Sequence, residues 1–91
     1  MDEVTRRRLE RNEDVFRSVN EEIDAREERS THAYVCECAS RDCTERVRLT
    51  HTQYTSVRSG SRRFLVVPGH ERRELERVVE RHVDYFVVEK S

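Results

Sequence analysis

Cys36, Cys38 and Cys43 fall within the eight residues Cys-Glu-Cys-Ala-Ser-Arg-Asp-Cys and are the only cysteines in the chain. A hydrophobic run and a Pro68-Gly69-His70 turn follow further on. Thiolates and imidazoles together are the donor set of tetrahedral zinc. In Cys36-x-Cys38 the pleat of a strand sends alternate side chains to one face, so both sulfurs can aim at one centre. Ala39 to Asp42 then lets the chain double back and bring Cys43 to the same point. Three thiolates exceed the charge of a divalent cation, which makes a neutral imidazole a fitting fourth ligand. His70 ranks first, in a turn directly after a buried strand and before a helix. His51, in the first turn of a helix, ranks second. His32 begins the cysteine strand, and His82 reads as a solvated residue at a helix end.

The competing structural reading is three half-buried thiols in a small core. A disulfide within the loop would leave one cysteine over. Catalytic readings are poorer: there is no HExxH, no glycine-rich phosphate loop and no serine nucleophile elbow. A cysteine nucleophile with His70 as its base is conceivable chemistry, but three clustered thiols make better ligands than one nucleophile. Glu37 and Glu71 adjoin the candidate ligands, as expected of a chain in which 41% of residues are charged.

Such a site matters because the rest of the chain is lean. With 91 residues and 34% hydrophobic content, it has room for one small core, where a metal staple is most useful. Eighteen basic and nineteen acidic residues nearly cancel, which argues against nucleic-acid binding driven by net charge. The local patch Arg6-Arg7-Arg8 is soon followed by acidic residues. Lys90 is the only lysine, an arginine excess that reads as codon bias. No apolar run is long enough to span a membrane and no signal-peptide core is visible. The expectation is a cytoplasmic protein whose thiols stay reduced and prefer metal to disulfide.

Several elements must position these residues. Residues 3 to 29 contain no Gly or Pro and read as one helix, with Leu9, Phe16, Val19 and Ile23 on a narrow apolar stripe. That stripe docks on its own domain or forms a dimer seam, being marginal for an autonomous coiled coil. Arg26 to Thr31 reads as the helix end and a connecting loop. Tyr34 to Cys38 reads as a strand and Val47 to Thr50 as its partner. Thr50 to Gln53 has capping-box spacing and predicts a short helix burying Tyr54 and Val57. Phe64 to Val67, unbroken and apolar, predicts a strand covered on both faces. Leu75, Val78 and Val79 predict a second amphipathic helix over Glu71 to His82, and Val83 to Val88 a closing strand. The expected fold is α+β: a long N-terminal helix (1–29), then an α+β zinc-binding domain (30–91) with a small sheet and two covering helices.

The segments YVCECASRDCTERVRLT, YTSVRSGSRRFLVVPGH and ERVVERHVDYFVVEK resemble a family of small actinobacterial zinc-binding proteins. These share a Phe-Arg-x-Val-Asn-Glu-like segment in an Arg/Glu-rich opening helix, here Phe16 to Glu21. The resemblance runs from Arg11 to Lys90 and is strongest at the cysteine cluster and the Pro-Gly-His turn. It implies Cys36, Cys38, Cys43 and His70 as the metal set. His51 lies outside the family pattern, and Val83 stands where a polar residue is usual. The resemblance implies no activity.

The functional expectation is a non-enzymatic interaction module held by structural zinc, with a regulatory role as one use. It would engage a protein partner or a second copy through the N-terminal helix. A nucleic-acid-associated or transcription-linked factor using Arg6-Arg7-Arg8 comes second, and a small metalloenzyme third.

Overall fold

A computed structural model describes residues 2–26 and 31–91. The chain runs α1 (Glu3–Arg26), β1 (Thr31–Val35), β2 (Arg46–Thr50), α2 (His51–Val57), β3 (Arg63–Val66), β4 (Glu76–Arg81) and β5 (Phe86–Lys90). The expected connecting loop after α1 falls largely on residues 27–30, outside the described ones. The α+β class and the long N-terminal helix are as expected. Instead of one sheet with two covering helices, the described residues form two sheets and one further helix.

β1 and β2 form an antiparallel hairpin in which Tyr34 faces Val47 and His32 faces Leu49. Alternation of exposed Arg46 and Arg48 with buried Val47 and Leu49 follows the pleat. α2 starts where the capping box places it. The Thr50 hydroxyl accepts from the Gln53 N–H at 3.0 Å, and Gln53 Oε1 accepts from the Thr50 N–H at 2.8 Å. The helix buries Tyr54 and Val57.

The second sheet has the order β3-β5-β4, all antiparallel. Here β4 replaces the helix expected over Glu71 to His82. The helical signal survives as a single turn, in which the N–H groups of Leu75 and Glu76 both donate to the Arg72 carbonyl. Beyond it, the β-branched pair Val78-Val79 is worth more in a ladder that β5 needs on its second edge. A register shift between Val78 and Glu80 accommodates the pair. Val78 packs with one core cluster and Val79 with the other, so adjacent valines serve opposite faces. The closing strand begins at Phe86 rather than Val83, because residues 82–85 turn the hairpin. The His82 N–H donates to the Tyr85 carbonyl, the two rings stack at 4.3 Å, and Val83 is 95% exposed at the tip.

β3 is covered on both faces, as its unbroken apolar run requires. Leu65 joins Tyr34, Val47, Leu49, Tyr54, Val57, Tyr85 and Val87 in one cluster, centred on stacked Tyr34 and Tyr54 rings 4.3 Å apart. Phe64 and Val66 join Val88, Cys36 and Cys38 in the other.

α1 docks on this body through a seam that is polar at its centre. Leu9, Phe16 and Ile23 are only half-buried, whereas Glu13 and Asn20 are fully buried. Glu13 and Asn20 stand four residues after Leu9 and Phe16, on the same helix face. Asn20 works as a clamp on the cysteine segment: its side chain donates to the Val35 carbonyl at 2.7 Å and accepts from the Val35 N–H at 2.6 Å. Asn12 adds a bond to the Ala39 carbonyl at 2.8 Å.

Candidate metal centre

The three cysteines sit in the loop that joins β1 to β2. Its base is closed by the Cys36 N–H donating to the Glu45 carbonyl at 3.0 Å, one step beyond the last strand pair. The Cys43 N–H donates to the Ser40 carbonyl at 3.1 Å, which makes the tight turn that doubles the chain back. His70 arrives from the other sheet. The turn Val67-Pro68-Gly69-His70 is closed by the His70 N–H on the Val67 carbonyl at 2.9 Å, with Gly69 at φ 95°. Pro at the second position and a left-handed Gly at the third are the requirements of a type II turn. The same turn sends the Val67 N–H to Cys36 Sγ at 3.2 Å. One short segment thus supplies both an imidazole and an amide donor to the sulfur cluster.

One donor atom from each of Cys36, Cys38, Cys43 and His70 lies within 4.8 Å of the others. His70 Nδ1 is 3.6 Å from Cys36 Sγ and 3.5 Å from Cys43 Sγ. Cys36 and Cys38 are buried, and Cys43 and His70 are half-buried. Three sulfurs around one point cannot all ionise without a counter-charge. Cys38 is pushed down to about 5, chiefly by the hydrogen bond from the Cys36 thiol. Cys36 is pushed up by donating that bond and by burial, and Cys43 is pushed up by burial first. A divalent ion would supply that counter-charge and displace thiol protons.

The other histidines are elsewhere. His51 Nδ1 is 2.8 Å from Asp24 Oδ1 on the surface between α1 and α2. His32 is buried in β1 with its ring edge against Tyr34, and His82 pairs with Glu80 at 2.9 Å. The structure therefore brings His70, and not His51, to the cysteines.

Glu37, between two of the sulfurs, is fully buried and is the residue whose role the sequence pattern did not reveal. Successive side chains of an extended segment point to opposite sides, so Glu37 faces away from the metal donors. Its Oε2 accepts from Asn20 at 2.8 Å and from the Tyr54 hydroxyl at 2.8 Å, and its Oε1 accepts from the Leu65 N–H at 2.9 Å. The Arg58 guanidinium is 3.8 Å away, over the rings of Phe64 and Tyr54. Burial raises the Glu37 carboxyl above its ordinary range, opposed first by the Arg58 charge and then by these donors. The signal available in sequence was the pleat itself: if both sulfurs share a face, Glu37 must point into the opposite interior.

A second buried carboxyl joins α1 to the β4–β5 sheet. Among the described residues neither carboxylate oxygen of Glu13 has a hydrogen-bond donor, and Glu76 is nearly as buried. Burial, and then the neighbouring Glu76 carboxyl, push Glu13 up to about 10. Lys90 Nζ stands 3.7 Å from Glu13 and opposes the shift.

A cleft of about 450 Å³ opens beside the sulfur cluster, with Cys38, Cys43 and His70 in its wall and Asp42, Glu71 and Arg72 also lining it. No described helix is long and apolar enough to cross a membrane. The chain matches no family model, no curated protein and no solved structure.

Proposed function

We propose that Cys36, Cys38, Cys43 and His70 hold one zinc ion, and that this ion staples a small non-enzymatic interaction module. The observation that carries the reading is the spacing of the donors. Zn–S of about 2.3 Å and Zn–N of about 2.05 Å at the tetrahedral angle place sulfur and nitrogen about 3.6 Å apart. The separations of His70 Nδ1 from Cys36 Sγ and Cys43 Sγ, 3.6 and 3.5 Å, match that edge. The same compactness favours one ion over a multinuclear cluster, whose ligands are spread over several metal atoms. Nδ1 is the coordinating nitrogen in this arrangement.

All four protein donors would be used, which is the pattern of structural rather than catalytic zinc. The ion would tie the β1–β2 hairpin to the turn before β4, joining the two sheets at their lean end. Partner contact falls to the outer face of α1, where Val4, Val15 and Val19 are exposed among arginines. The occupant is a protein partner or a second copy of this chain. The nucleic-acid reading is weaker because Arg6 already reaches the Glu74 carbonyl and Arg7 pairs with Glu3 at 3.1 Å.

Metal analysis of the purified chain tests the site: one zinc per chain is expected, lost in His70→Ala and kept in His51→Ala. Light scattering of the wild type and of Val15→Ser/Val19→Ser tests self-association through α1. A sub-micromolar affinity for DNA or RNA at physiological salt would replace the interaction module with the nucleic-acid reading.

A further inference from the structure

Resting on the zinc reading, we infer that the centre is an oxidation-released one, in which a hydroperoxide enters the cleft and converts Cys43 and Cys38 to a disulfide. The three sulfurs are not equivalent. Cys38 and Cys43 line the cleft of about 450 Å³, and Cys36 does not. Cys43 is half-exposed, whereas Cys36 is buried and its Sγ accepts the Val67 N–H at 3.2 Å. An amide bond and burial both blunt a sulfur towards an electrophile, and access sharpens it. A cage with one open wall therefore has one sulfur that a small oxidant reaches first.

The chemistry closes on that wall. Cys43 Sγ attacks the outer oxygen of the hydroperoxide; an S–O bond forms, the O–O bond breaks, and the departing oxygen takes a proton to leave as an alcohol or water. Cys43 is then a sulfenic acid, oxidised by two electrons. Cys38 Sγ attacks it; the S–S bond forms, the S–O bond breaks, and the hydroxide takes a proton to leave as water. Four intervening residues let Cys38 and Cys43 meet disulfide geometry, while a single residue between Cys36 and Cys38 strains a bridge between them. Two of the four donors are withdrawn and the ion is released, uncoupling the hairpin from the His70 turn. A dithiol reductant returns both thiols, and zinc rebinds.

The test treats zinc-loaded protein, its stoichiometry first fixed by metal analysis, with hydrogen peroxide in molar excess. Released zinc is followed with a chromogenic chelator and the cysteines are mapped by mass spectrometry. Cleavage after Glu37 separates Cys36 from Cys38, so the bridge can be assigned. The expected result is stoichiometric release in step with a Cys38–Cys43 disulfide, with Cys36 still open to alkylation. Dithiothreitol and added zinc should then restore the loaded form. Retention of zinc under peroxide, a bridge to Cys36, or sulfinic acid without a disulfide would each overturn the inference while leaving the metal site standing. A chain that binds no zinc before oxidant is added overturns the metal reading itself.

Discussion

Cys36-Glu37-Cys38 presents two buried polar foci in opposite directions, and the two are solved in different ways. On one side, the Glu37 carboxylate takes three hydrogen bonds from Asn20, Tyr54 and Leu65, with Arg58 beside it. Donors and a positive charge are supplied to this carboxyl by the chain itself. On the other, three sulfurs and an imidazole converge within 4.8 Å. A focus so rich in electron-pair donors asks for a cation. Burial alone does not distinguish a structural polar cluster from a ligand site; the balance of donors and acceptors does.

Breaking the sulfur side should have the largest effect. Structural zinc sites contribute about 10–16 kcal/mol of apparent binding free energy, against a total domain stability of about 5–15 kcal/mol. Cys38→Ser, or a strong chelator on the wild type, is therefore expected to abolish cooperative melting followed by circular dichroism. A metal-free chain that melts cooperatively at the wild-type temperature, with three titratable thiols, would make the cysteines ordinary core residues.

The Glu37 side should break next. Glu37→Ala leaves Arg58 without its carboxylate and three donors without an acceptor, a loss of about 3–5 kcal/mol. Glu37→Gln keeps one oxygen acceptor and should cost about 1–3 kcal/mol. Because Glu37 faces away from the sulfurs, zinc per folded chain should be unchanged in Glu37→Gln. Zinc loss in that variant would mean the two foci act as one.

How much of this was legible follows from which interactions are local. The capping box at Thr50, the Val47/Leu49 alternation and the Pro68-Gly69 turn are set by near neighbours, and each came out where the spacing placed it. The strand expected over Tyr34 to Cys38 ends at Val35, so Cys36 and Cys38 reach the site from the β1–β2 loop and not from a strand. The Glu71 to His82 segment failed because Leu75, Val78 and Val79 satisfy a helical spacing and a bulged strand equally. β5, a distant partner, decided between them. Glu13 and Asn20 were missed for the opposite reason: polar residues within an apolar helix stripe look like its edge until their partners Glu76 and Val35 are known.

Glu13 gives a smaller effect whose pH dependence has a definite sign. Its carboxyl is pushed up to about 10, by burial first, from an ordinary value of 4.5. Between those values the folded chain holds a proton that the unfolded chain has lost. Stability therefore falls as pH rises through that window. Glu13→Gln fixes the neutral form and should flatten the decline between pH 7 and pH 10. Urea melts in saturating zinc would measure this without interference from metal loss. An unchanged slope would place the proton elsewhere than on Glu13.

The smallest effect belongs to His51, and it sharpens the comparison because His51 is the other histidine the sequence offered to the metal. Its ring is 2.8 Å from Asp24 and its side chain is largely exposed. Asp24 is raised by burial, but hydrogen bonds from Tyr34 and His51 outweigh this and hold its carboxyl below the ordinary value. A depressed carboxylate stabilises the fold at neutral pH and loses that contribution as pH falls through its folded value. Solvent screens an exposed pair, so His51→Ala should cost no more than about 1 kcal/mol. Tyr34 continues to hold Asp24 at 2.6 Å in that variant, which limits the loss further. Zinc content should stay at the wild-type value in His51→Ala and fall to background in His70→Ala under identical purification. The reverse pattern would move the fourth ligand to α2, and with it the junction that the metal holds.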